Sequence, residues 1–206
     1  MSETIAVLTH AAREHDALAS QLRANGVRVL ELPCVTIEHL ADPAPLAEAI
    51  GSLDAADWLV VTSPAGADAI ARAASPRARV AAVGAATAAR LRAHGIAVSF
   101  IPSRATGAVL GRELPPGAHA LLARSDRALP DLPRILRERG FVVSEVVAYH
   151  TRVGATGDIE AVRRALSSRD ERVAFYVESP SALDGLRAAI APDLLSRGVI
   201  THVAHR

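Results

Sequence analysis

Short, unbroken apolar runs recur along this chain, separated by longer stretches rich in Ala, Leu and Arg. Runs at 5–8, 27–32, 58–62, 80–83, 98–101, 118–123, 142–149, 173–177 and 199–203 predict strands. Most do not alternate apolar with polar residues, which suits parallel strands buried on both faces. The stretches between them carry helical spacing. Leu18 and Leu22 share a face over 16–24, as Leu132, Ile135 and Leu136 do over 132–139. Gly26 and Gly140 follow these two segments, where a left-handed residue closes a helix. Strand alternating with helix predicts the α/β class.

The pattern also repeats. Shifting residues 8–31 by 114 lays them on 122–145 without a gap: Leu8 meets Leu122, Leu18 meets Leu132, Gly26 meets Gly140 and Glu31 meets Glu145. A second pair follows, WLVVTSPAGADAI at 58–70 against AFYVESPSALDGL at 174–186, with Val, Ser-Pro and Asp in register. The order A–B–A′–B′ predicts two similar parallel-sheet lobes. The extended stretches 31–39 and 145–153 are natural crossing points, so one lobe is expected from 38–148 and the other from 1–35 joined to 152–206. Unit B continues beyond the counterpart of Ala204, so by the repeat the terminal lobe is expected to be incomplete at its C-terminus by roughly 30 residues.

Composition narrows the function classes. Basic and acidic side chains number 23 and 22, a net charge of +1, which leaves no electrostatic footprint for nucleic acid or a membrane surface. Aromatic residues make up 3%, too few for base-stacking platforms. The single Cys34 excludes an internal disulfide framework and a Cys-based zinc site. His202 and His205 are close, yet no third ligand is near them in sequence, so no metal is expected. Residues 1–8 lack the form of a signal peptide, and no run reaches the roughly 20 apolar residues of a membrane span. A cytoplasmic enzyme or binding protein is expected.

Six segments in order carry a family resemblance: AVLTH at 6–10, GVRVLELP at 26–33, DWLVVTSPAGADAI at 57–70, AAVGAATAARLRAHG at 81–95, the stretch from ALLARSD to VVAYHT at 120–151, and FYVESPSAL at 175–183. Together they resemble the uroporphyrinogen-III synthase family along essentially the whole chain. The resemblance implies two flavodoxin-like lobes joined by a two-stranded linker, with a small-molecule cleft between them. It implies an enzyme that closes hydroxymethylbilane, an anionic linear tetrapyrrole, into uroporphyrinogen III, losing water and inverting ring D. No cofactor is implied; the expected protein is a monomer that can receive its substrate from hydroxymethylbilane synthase. Three positions depart from the family pattern: His10 replaces Arg, Ala65 replaces Asn and Glu178 replaces Thr. A non-catalytic ligand-binding or regulatory protein on the same fold is the alternative.

In open α/β sheets ligands sit beyond the carboxyl ends of strands, near helix N-termini whose free N–H groups suit carboxylates. The family motifs place Thr9, His10, Thr62, Ser63, Gly84, Thr87, Arg124 and Ser179 at such ends, with Arg13 shortly after. These are the candidate substrate-binding residues. Ser63 and Ser179, each followed by Pro, read equally as helix N-caps, and Thr87 as a cap for 88–93. Arg13, Arg104, Arg124 and Arg127 are either carboxylate ligands or solvated surface charges. Tyr149 aligns with the family's Tyr in the joining segment; its phenol either assists hydroxyl departure as donor or weak acid, or packs the junction.

Overall fold

The computed structural model of the chain describes residues 3–10 and 17–202. Two compact units emerge, one from Met1–Thr36 with Arg152–Arg206, the other from Ile37–Thr151.

The first unit is built on strands β1 (Glu3–Leu8), β2 (Arg28–Glu31), β8 (Glu171–Val177) and β9 (Val199–His202), in the order β2-β1-β8-β9. Each neighbouring pair in that order runs parallel. Helices α1 (Ala17–Ala24), α7 (Ile159–Ser167), α8 (Pro180–Ala189) and the short α9 (Pro192–Leu195) connect or flank them. Ile5, Val7, Val173, Phe175 and Val177 form its core with Val162, Leu166 and Leu186 from α7 and α8. Ala6 and Leu8, on the alternate positions of β1, are buried as well. That two-sided burial is why 5–8 reads as an unbroken apolar run.

The second unit holds β3 (Val35–His39), β4 (Trp58–Val61), β5 (Arg79–Ala82), β6 (His119–Ser125) and β7 (Val142–Val153), ordered β3-β7-β6-β4-β5. From β7 to β5 the neighbours pair in parallel. Its helices are α2 (Ala44–Gly51), α3 (Pro64–Ala73), α4 (Ala85–Ala93), α5 (Gly107–Glu113) and α6 (Asp131–Glu138). β4 shows the layering most clearly. Leu59 and Val61 enter a core with Ile70 and Leu91 of α3 and α4, while Trp58 and Val60 enter another with Leu110, Leu132 and Leu136 of α5 and α6. All four β4 side chains are therefore buried.

Both repeats reappear as structure. Gly26 and Gly140 take φ of 73° and 86°, after α1 and α6. The next residues, Val27 and Phe141, donate their N–H groups back to Leu22 and Leu136, closing the same left-handed C-terminal motif. Ser63 and Ser179 cap α3 and α8 alike: each hydroxyl accepts from the N–H three residues on, Gly66 at 3.0 Å and Ala182 at 3.1 Å. Pro64 and Pro180 fill the first helical turn, where a missing N–H costs nothing.

Some expectations shift in detail. The predicted strand at 98–101 is reduced to one bridge, Ala81 to Phe100, because the run is short and interrupted by Ser99. The stretch 31–39 resolves into the last residue of β2, a break over 32–34 and β3. Helix α4 starts at Ala85 rather than 88, so Gly84 is its N-cap and Thr87 sits buried inside the first turn. Residues 13, 16 and 203–206, invoked from the sequence, lie outside the described residues, as does the side chain of His202.

Candidate functional site

The polar residues that gather at the carboxyl edge of the second unit's sheet come from β4, β6 and β7. Tyr149 pairs with Ser125 in the ladder, across a register shift after Arg124. Its ring is almost fully buried, at 6% exposure. Its hydroxyl lies 2.8 Å from Ser63 Oγ, just past the end of β4. Ser63 Oγ accepts from the Gly66 N–H, so one atom ties the phenol to the N-terminus of α3. Burial raises the pKa of the phenol, the Asp126 charge raises it further, and the Ser63 bond only partly offsets them. Tyr149 is therefore a neutral hydroxyl at physiological pH, able to donate.

Beside it stands a group the sequence reading passes over. Asp126, directly after β6, accepts the Thr151 N–H at 2.9 Å, the Ser125 hydroxyl at 3.0 Å and His150 Nδ1 at 3.1 Å. The backbone bond from Thr151 is the main reason its carboxyl is held down at about 2; His150 and Ser125 add to this against desolvation. Ser125 Oγ meets Thr151 Oγ1 at 2.7 Å, closing the cluster. A Ser-Asp pair soon after the apolar ALLA run, together with Tyr-His-Thr at the end of another, is the sequence signal that marks it.

The other predicted residues fall into distinct positions. Gly84 is extended, and a Cβ there would come 2.7 Å from Ala105 Cβ, so the residue is fixed by close approach. Thr62 is partly buried between β4 and α3. Arg124 is 8% exposed; it donates to the Leu129 carbonyl at 2.7 Å and lies 3.6 Å from Glu145. Its guanidinium is engaged by its own unit. Arg104 and Arg127 are exposed on loops.

In the first unit, Thr9 donates its hydroxyl to the Tyr176 carbonyl at 2.9 Å. His10 Nδ1 stands 3.0 Å from Glu178, both largely buried, so two departures from the family pattern contact each other. Ser179 follows immediately as the α8 cap. These residues share the carboxyl edge formed by β1 and β8. Among the described residues, no group of three or more His, Cys, Asp or Glu comes together to hold a metal ion. No described helix is long and apolar enough to cross a membrane.

Comparison with known proteins gives the same direction from sequence and fold. The family model described as uroporphyrinogen-III synthase HemD matches residues 16–199. The curated uroporphyrinogen-III synthase of Synechococcus elongatus is 30% identical over 156 residues, 70% of this chain and 59% of that protein. The match thus spans about three fifths of that relative's length. In fold, the chain is similar to a mutant uroporphyrinogen III synthase from the extremely thermophilic bacterium Thermus thermophilus, with TM-score 0.66, 20% identity, and 98% and 84% of the two chains covered. The uroporphyrinogen-III synthetase of Helicobacter pylori 26695 gives TM-score 0.58 at 16% identity, over 99% and 84%.

Proposed function

This chain belongs to the uroporphyrinogen-III synthase family, and from that premise we propose that it cyclises hydroxymethylbilane to uroporphyrinogen III, with loss of water and inversion of ring D. The observation that carries this reading is the buried Tyr149 hydroxyl, held by Ser63 at the N-terminus of α3. Closure requires the terminal hydroxyl of the bilane to leave as water, and a neutral phenol at a strand end is a suitable donor to that oxygen. The free N–H groups at the starts of α3, α4 and α8 suit the substrate's acetate and propionate carboxylates. Thr9, His10, Thr62, Ser63, Gly84, Thr87 and Ser179 are the binding residues in this reading, with Arg13 and Arg124 as supporting charges.

The two units correspond to flavodoxin-like lobes, linked through the strands β3 and β7. The protein acts as a cytoplasmic monomer that takes its substrate from hydroxymethylbilane synthase. The chemistry of ring closure belongs to the pyrroles; the protein's contribution is to hold the bilane so that the correct carbon closes.

The test is to supply freshly made hydroxymethylbilane and identify the cyclised isomer. Type III product forming faster than spontaneous closure is expected. Type I product alone, from folded protein, would discard the enzyme reading in favour of a binding or regulatory role.

A further inference from the structure

The Asp126–His150 pair is not accounted for by the Tyr149–Ser63 contact. The imidazole is 40% exposed and is anchored through Nδ1, 3.1 Å from Asp126 Oδ2. Asp126 is ionised above about pH 2, so it accepts and the Nδ1–H donates. That hydrogen bond selects the tautomer, leaving Nε2 as the atom that gains or loses a proton. Nε2 makes no hydrogen bond to any described residue. Asp126 is itself immobilised by the Thr151 N–H and the Ser125 hydroxyl, which fixes the ring's aim. A carboxylate orienting one nitrogen while the other faces outward is the arrangement of a proton-transfer imidazole.

We propose that His150 is a second proton-transfer residue of the ring closure, with Asp126 as its positioning residue. The inference rests on the synthase reading above. In the first step protonated His150 gives its Nε2 proton to the terminal hydroxyl of the bilane. The C–O bond breaks, its electron pair leaves on oxygen as water, and the adjacent pyrrole nitrogen supplies electrons to the exposed carbon. The exposed carbon bonds to the ring D carbon that already carries the bridging methylene. That methylene–ring D bond then breaks and re-forms at the free α-carbon of ring D, which inverts the ring. Neutral Nε2 takes up the proton this α-carbon loses. The imidazole ends as it began. The overall change is the loss of one water, with no oxidant or reductant. The Tyr149 phenol senses the same Asp126 charge and keeps its own contact with Ser63.

The titratable group in contact with the imidazole is Asp126, at the end of β6. Arg127, just past β6, and Arg152 on β7 are its charged neighbours along those strands, and β3, the other strand bonded to β7, carries Glu38 and His39. Glu38→Gln and His39→Gln therefore accompany the test as controls. The experiment measures kcat and KM for uroporphyrinogen III formation between pH 6 and 9 in wild type, His150→Asn, His150→Ala and Asp126→Asn, with melting curves for each. Asn at 150 keeps a donor toward Asp126 while removing the transferable proton. Expected are a kcat about 100-fold lower in His150→Asn with KM nearly unchanged, and loss of the pH limb assigned to the imidazole. Added imidazole should restore part of the activity of His150→Ala, and Asp126→Asn should displace that limb rather than abolish it. A His150→Asn enzyme with wild-type kcat and pH profile overturns this proposal alone. Should either variant at 150 fail to fold, a wild-type rate in His150→Asn or absence of imidazole rescue in His150→Ala, whichever folds, overturns it equally. A wild type that forms only type I product overturns the synthase reading, and this proposal with it.

Discussion

A hydroxyl pair 2.8 Å apart, Tyr149 on Ser63, puts the proposed catalytic duty and the structural one on separate atoms. Tyr149→Phe leaves Ser63 free to keep capping α3, so the unfolding free energy should change by no more than about 1 kcal/mol. The rate of type III product formation should nevertheless fall about 100-fold; an active Phe variant would remove the phenol from the mechanism. Gly84 gives the opposite separation. Its φ of −174° is extended backbone open to any residue, so the constraint is space. Gly84→Ala would force a Cβ 2.7 Å from Ala105, a cost of about 1–3 kcal/mol by overpacking, readable as a lower urea midpoint. Pairing of His10 with Glu178 is hidden in the sequence, where 168 positions separate them (178 − 10). Adjacency of β1 and β8 creates it, and Glu178 is thereby matched to a basic partner.

Elements are legible wherever an apolar run is covered on both faces. The β4 run 58–61 and the β1 run 5–8 need no tertiary knowledge, because burial on both sides leaves no polar position to interrupt the pattern. Strand β3 is harder to read: Thr36, Glu38 and His39 are exposed, so its polar composition looks like a linker. The Ser-Pro repeats announce the starts of α3 and α8 through cap chemistry alone, whereas the start of α4 is displaced by three residues because its cap is a glycine without a side-chain signal. The candidate site divides likewise. Strand-end positions such as Ser63 and Tyr149 can be named, but the Asp126 cluster depends on the register shift between β6 and β7. The repeated caps make a controlled comparison. Ser63→Ala and Ser179→Ala should each cost about 1 kcal/mol in stability. Only the first removes the partner of Tyr149, so Ser63→Ala should lower kcat, whereas Ser179→Ala, at a proposed binding position, should act on KM. A Ser63→Ala enzyme with wild-type kcat would mean that Ser63 does not serve the phenol.

At the scale of the whole chain, alkaline stability is set partly by Cys34. Its thiol is fully buried, donates to the Leu32 carbonyl at 3.1 Å, and is pushed up to about 11 by burial, from an ordinary 9.0. A raised pKa means that the neutral thiol favours the folded form fully below pH 9. That contribution is lost as pH climbs from 9 toward 11, because the unfolded chain ionises first. The urea midpoint of the wild type should therefore fall over that window, and the fall should be shallower in Cys34→Ala. Native protein should also react slowly with a thiol reagent at neutral pH and completely once unfolded.

The first unit is assembled from the two ends of the chain, Met1–Thr36 and Arg152–Arg206, around an uninterrupted second unit. During synthesis, then, order of emergence and order of folding diverge. β1 leaves the ribosome before the second unit, but its neighbour β8 does not follow until residue 171. At about 5–20 residues per second that delay is on the order of ten to thirty seconds. Ile5 and Val7 wait unpaired on that side while Ile37–Thr151 already has all its own strands. Nascent chains stalled after 151 has cleared the exit tunnel should carry a protease-resistant second unit and a cleavable N-terminal segment. Full-length chains should protect both. The early segment is thus the one a chaperone would meet, and slowed translation of the middle of the gene should raise aggregation through β1 rather than through the strands being made.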